Sequence, residues 1–208
     1  MDLILCFNNP QKTALISPNG TTHYEISTSK TSTSRETHGV FLSKITQSQD
    51  GAVVGEIEWG DCFTPTFVRC PLLRGLGGYV GKMGIGMTAR TFLYKRSPFS
   101  DSRYFVDNDG VEYRWKTHKG VGCVLTSVHD NREIAKYTTG SRIEGFFAGE
   151  KKTFLRIQPC SLDLDLLVLS FAVMEKKRRE RAGDLAGLVP HEDDDALGDG
   201  AGDGGGEA

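Results

Sequence analysis

The sequence predicts a mainly β (α+β) fold: a closed antiparallel β-barrel of about twelve strands around a buried C-terminal hydrophobic helix. Three observations carry this prediction. Up to about residue 157 the chain is a series of short β-like runs separated by turn residues. Several of these runs alternate with a period of two and present one apolar face, as half-buried strands do. The stretch Ser161–Arg181, "SLDLDLLVLSFAVMEKKRRER", is instead apolar on every side from Leu162 to Met174.

In chain order, the first strand candidates are Leu3–Phe7 and Thr13–Ile16, followed by a hairpin turn at Pro18-Asn19-Gly20. Asn19-Gly20-Thr21 also fits a glycosylation sequon, and the turn is the reading adopted. "HYEIS" places Tyr24 and Ile26 on one face and His23 and Glu25 on the other. "STSKTSTSRET", Ser27–Thr37, reads as a polar solvated loop. Val40–Thr46 follows, then "VVGEIEW", in which Val53, Ile57 and Trp59 share the apolar face. Phe63–Cys70 and Thr88–Arg96 are strand candidates flanking a glycine-rich stretch, Gly75–Gly86, expected to be mobile. "VEYRWKTH" points Val111, Tyr113, Trp115 and Thr117 inward and Glu112, Arg114, Lys116 and His118 outward. Asp107-Asn108-Asp109-Gly110 joins it to the preceding run as a tight hairpin. Gly122–Val128, Glu133–Thr138 and Thr153–Ile157 complete the set.

The terminal apolar run spans thirteen residues, with Asp163 and Asp165 inside it, against about 20 for a bilayer span. It is therefore core. Ser161 reads as its N-cap, the two aspartates complement its positive end, and Lys176, Lys177, Arg178 and Arg179 complement its negative end. A helix over about 161–181 makes a rod of roughly 30 Å. A rod buried all round, in a chain otherwise made of strands, asks for a sheet wrapped around it.

The net charge of −2 hides a split. Eight of the 27 acids lie after Ala182, where there is no Lys or Arg, so residues 1–181 hold all 25 bases and carry +6. The expected organisation is a barrel domain over 1–181 and a disordered acidic, glycine-rich tail over 182–208. Five scattered cysteines without a CxxC pair, and no signal peptide, read as free thiols in a reduced, cytoplasmic protein.

"HYEIST", "VVGEIEW", "FVDNDGVEYRW", "EIAKY" and "LDLLVLSFAVMEKKRR" together resemble a fungal family of uncharacterised domains in the tubby C-terminal-like superfamily. That resemblance implies a closed barrel around a central helix, related to LURP-one-related proteins and phospholipid scramblases. It implies no activity. Tubby proteins bind phosphoinositide head groups through basic side chains, and that pocket has no residue-by-residue counterpart in this sequence.

Catalytic and cofactor motifs fail on particular residues. Leu76 and Met83 break a P-loop around Gly81-Lys82, and the glycines at 84 and 86 precede a strand-like run rather than a helix. Phe105 and Lys116 occupy the first and last ligand positions of the EF-hand-like Asp107/Asp109 segment. His118 and Cys123 read as a coincidental pair rather than metal ligands. Asp163 and Asp165 lie about 200° apart on a helix and cannot share a substrate. The chain therefore reads as a non-enzyme, with no cofactor or metal and no nucleic-acid partner. What remains is basic surface: Arg114, Lys116 and His118 along one exposed strand face, with Lys151 and Lys152 leading into the last strand. These are the candidate ligands for anionic lipid head groups at a membrane surface, where each Lys or Arg contributes about 1 kcal/mol. The alternative is a protein-interaction or scaffold domain without lipid binding.

Overall fold

A computed structural model describes residues 1–31, 40–60, 63–73, 79–81, 84–118 and 122–183. One antiparallel sheet of thirteen strands dominates it. The strands are β1 (Asp2–Leu5), β2 (Thr13–Ile16), β3 (Thr22–Thr31), β4 (Val40–Gln47), β5 (Val53–Trp59), β6 (Phe67–Arg69), β7 (Tyr79–Gly81) and β8 (Gly84–Thr88). After a one-turn helix α1 (Ala89–Phe92) come β9 (Arg103–Val106), β10 (Glu112–His118), β11 (Gly122–Ser127), β12 (Glu133–Ser141) and β13 (Lys151–Ile157). The chain then enters α2 (Leu164–Ala182).

Neighbours run β7-β8-β6-β5-β4-β3-β2-β1-β13-β12-β11-β10-β9 across the sheet. The first strand thus pairs with the last, Leu3 opposite Leu155, and joins the two halves of the chain. The sheet is open. Among the described residues its outer strands β7 and β9 do not pair, so the expected closed barrel gives way to an unclosed sheet. The reason lies in Thr88–Arg96, which was expected to be a strand. Thr88 instead accepts a hydrogen bond from the Thr91 amide (3.2 Å) and caps α1, so β8 ends there and does not run on toward β9. A single bridge spans the seam, Tyr94 and Tyr104 exchanging two backbone hydrogen bonds of 2.9 Å. Glu112 of β10 reinforces it by accepting from the Tyr94 hydroxyl and from Arg96.

α2 is the core. Leu166 to Met174 are at most 2% exposed, and they meet strands from both halves of the sheet. Trp115 of β10 donates to the Ser170 hydroxyl at 3.0 Å. Phe171 packs between Trp115 and Tyr137 of β12. On the opposite side Tyr24 of β3 donates to Asp165 at 2.7 Å. Gly55 of β5 lies so close to the helix that an added Cβ would sit 3.0 Å from Leu169 Cδ1, a contact only glycine accommodates without a shift.

The N-cap of α2 is Asp163, not Ser161: its carboxylate accepts the Asp165 amide at 2.8 Å. The helix runs through Ala182 and ends on Gly183, whose φ of 68° supplies the left-handed C-cap. The folded unit therefore extends two residues past the expected boundary. The expected acidic tail, from 184 on, lies outside the described residues. Deleting residues 184–208 keeps this cap and is expected to leave the melting temperature within about 1–2 °C, measured by circular dichroism, because the deleted stretch has little apolar content to dock. A larger drop would show that the tail packs on the body.

Other expectations change locally. Ser27–Thr31, read as the start of a loop, continues β3 and pairs with β4, Thr28 opposite Ser43. The rest of that loop, 32–37, lies outside the described residues, as does Cys62. Within the glycine-rich stretch, Tyr79–Gly81 and Gly84–Gly86 pair as strands, while 74–78, 82 and 83 are not described. A bulge between Ile45 and Thr46 shifts the register opposite Val54. Val54 is thereby buried and Val53 left half-exposed, the reverse of simple alternation. Gly55, Ile57 and Trp59 face the core. The β9–β10 hairpin forms where expected: Asp107 Oδ1 accepts the Asp109 and Val111 amides, and Gly110 takes φ 80°.

Candidate anion-binding site

The unpaired seam holds a highly charged concavity. Three elements converge there: α1 with the segment after it, the start of β9, and the last turns of α2. They border a cavity of about 580 Å³ whose lining includes Arg90, Lys95, Arg96, Arg103 and Lys177 and, among the described residues, no carboxylate. The sheet register explains Arg103. It stands opposite Trp115, which is wholly buried, so its side chain is directed to the inner face near the helix end.

Two of the five cations are committed locally. Arg96 pairs with Glu112 and lies 4.6 Å from the Tyr104 ring centre, and Lys95 donates to the Pro98 carbonyl at 2.9 Å. The adjacent Arg181 is neutralised by Asp101 at 2.9 Å. Arg90, Arg103 and Lys177 have no carboxylate partner among the described residues, and Arg103 Nε is buried without a hydrogen-bond partner. Burial, followed by the Arg181 charge, holds the Arg103 guanidinium below its ordinary pKa; Asp101 only partly offsets this. Burial and then the Arg103 charge push Lys177 down as well. Like charges held together with only partial compensation, from Asp101 and Glu180, favour an incoming anion, because its binding relieves both repulsion and desolvation.

The residues singled out in the sequence lie elsewhere. Arg114, Lys116 and His118 do form a row on the outer face of β10. Arg114 is half-buried and donates to Asn131 Oδ1 at 2.9 Å, while Lys116 and His118 are exposed. Pairing through Val124 sets Lys136 level with Lys116 two strands away, and Arg156 one strand further. That outer face is broadly basic. Lys151 and Lys152 stand at the start of β13, three strands from β10. Lys152 is engaged there, pairing with Glu150 at 2.9 Å and lying 4.8 Å from the Phe147 ring centre.

The seam residues were missed because Thr88–Arg96 read as one strand, which scatters its charges over two faces. A signal existed in the four cations between residues 90 and 103. Their convergence with Lys177 depends on the α1 turn.

The helix-end cluster also divides in an unforeseen way. Lys176 stacks 4.7 Å from the Trp59 ring centre. Arg178 and Arg179 both bind Glu175, which is fully buried, at 2.7 and 2.8 Å. Arg179 further donates to the Asn8 carbonyl at 2.7 Å and to its side-chain oxygen at 2.6 Å. These charges lock the helix to the chain start, leaving Lys177 for the seam. Among the described residues no helix is long and apolar enough to cross a membrane.

No curated protein and no solved structure matches the chain. The model of a family of unknown function, DUF6593, matches residues 8–180, most of the 208-residue length, and the chain belongs to that family.

Proposed function

We propose that the protein is a non-catalytic binding module whose seam pocket takes a phosphate-bearing anionic head group at a membrane surface. The observation that carries this reading is the set Arg90, Arg103 and Lys177, gathered around one cavity without a carboxylate partner among the described residues. A guanidinium fork and an ammonium on one concave wall suit a phosphate, which accepts several charge-assisted hydrogen bonds. A tubby C-terminal-like ancestry belongs to the same proposal. Its support is the order of elements, strands first and one all-apolar helix last, with that helix in the core.

Sedimentation with anionic and with neutral liposomes at two salt concentrations tests the reading, since attraction of this kind weakens as salt rises. Arg90 and Lys95 are exposed, so Arg90→Glu with Lys95→Glu leaves the core intact while changing the local charge by four units. Binding is expected to fall more than about a hundredfold at about 1 kcal/mol per charge. Arg114→Glu with Lys116→Glu, on the outer face, is expected to weaken binding far less. Equal losses from the two pairs would point to diffuse attraction by the whole basic body. A soluble inositol phosphate that competes as well as anionic liposomes would identify a free anion as the ligand.

A protein-interaction role is the second reading, favoured by one observation. Ile143 is 90% exposed and Phe146 70% exposed on the loop between β12 and β13. Ile143 lines a cleft of about 600 Å³ with Pro18 and Asn19, Phe146 follows directly on its lining residue Gly145, and exposed apolar groups beside a cleft mark interaction surfaces. Liposome binding absent from wild type would retire the lipid reading and leave this face as the functional surface.

A further inference from the structure

A second cavity adjoins the basic pocket. It holds about 370 Å³ and is lined by Leu72, Leu73, Met87, Phe92 and Val106, with Tyr94 at its edge. The Arg90–Tyr94 segment separates the two: Arg90 and Leu93 line the basic side, Thr91 and Phe92 the apolar side, and Tyr94 lines both. The apolar cavity lies at the open edge of the sheet, between the β8–α1 segment, which supplies Met87 and Phe92, and the β9–β10 hairpin, which borders it with Val106.

The polar groups nearby are already occupied. Asp107 Oδ1 accepts two amides of its own turn, and Glu112 accepts from Tyr94 and Arg96. Glu112 is paired with Arg96, and Asp107, which keeps its charge, lines the apolar slot rather than the basic pocket. A basic pocket and an apolar slot sharing one wall match a ligand that carries both chemistries in one molecule, and the slot lies in the volume range of small-molecule sites.

We propose that the slot takes the hydrocarbon chain of a single-chain anionic amphiphile, an alkyl or acyl phosphate whose phosphate rests on Arg90, Arg103 and Lys177. This rests on the anion-binding reading above and adds that one lipid molecule is held along its length across the Tyr94 ridge. The chain of such a ligand displaces water from Leu73, Met87 and Phe92, and each methylene it buries strengthens binding.

The test is calorimetric titration of the full-length protein with inorganic phosphate, then with methyl, butyl, octyl and decyl phosphate below their micelle-forming concentrations. Affinity is expected to rise with chain length by up to about fourfold per buried methylene until the slot is full. Val106 is 37% exposed on an outer strand, so Val106→Trp fills the slot without disturbing the core. In that variant the chain-length dependence is expected to vanish while inorganic phosphate binds as in wild type. A flat series in wild type, with phosphate still bound, overturns the slot and leaves the anion site standing. A chain-length dependence that survives Val106→Trp places the chain elsewhere and also overturns it. Failure of inorganic phosphate and every alkyl phosphate to bind removes the anion site itself.

Discussion

Leu167→Asp is expected to leave no folded protein. Leu167 is fully buried on a helix that the sheet meets on opposite sides, so the new carboxylate has neither water nor a cation to meet it. Burying an unpaired charge costs several kcal/mol, against a total stability of about 5–15 kcal/mol for a domain. The expected readout is insoluble protein, or soluble protein without a cooperative thermal transition. Leu167→Met, which conserves volume, is expected to cost less than about 1.5 kcal/mol. A soluble Leu167→Asp variant that melts cooperatively would show that α2 is peripheral to the fold.

Glu175→Ala is the second large effect, through the opposite error: it strands cations instead of an anion. Glu175 is fully buried and Arg179 nearly so, and the carboxylate accepts hydrogen bonds from both Arg178 and Arg179. Removing one partner of a buried pair costs about 3–5 kcal/mol, because the remaining charge keeps its desolvation penalty and loses its compensation. Adding Arg179→Met to Glu175→Ala removes that stranded charge and is expected to restore part of the loss, although Asn8 then loses two hydrogen bonds. Urea unfolding of the wild type, both single variants and the double variant measures the coupling. If the two single losses simply add in the double, the charges act independently and the locking role of Glu175 is wrong.

Local signals were legible where one side-chain pattern decides the outcome. Tyr24 and Ile26 alternate against His23 and Glu25, and the structure buries the first pair. Asp107 and Gly110 announce a turn because the aspartate can bond the amides ahead of it and glycine accepts a positive φ. Where two local readings competed, the pattern was insufficient. Thr88–Arg96 carries β-branched and aromatic residues that suit a strand, yet Thr88 can also cap a helix, and the cap prevails. Val53 and Val54 are equally apolar, and only the bulge opposite them selects which one is buried.

The sequence by itself determined that this is a β-rich chain built on one terminal apolar helix, because periodicity and an unbroken apolar surface are properties of consecutive residues. Only the tertiary structure decided that the sheet stays open and that Arg90, Arg103 and Lys177 meet at its seam. Arg90 and Arg103 lie on consecutive elements thirteen residues apart, and Lys177 lies on α2, 74 residues further on. Their proximity follows from strand order and from the direction in which α2 leaves the sheet, and neither is encoded in the spacing of neighbouring residues.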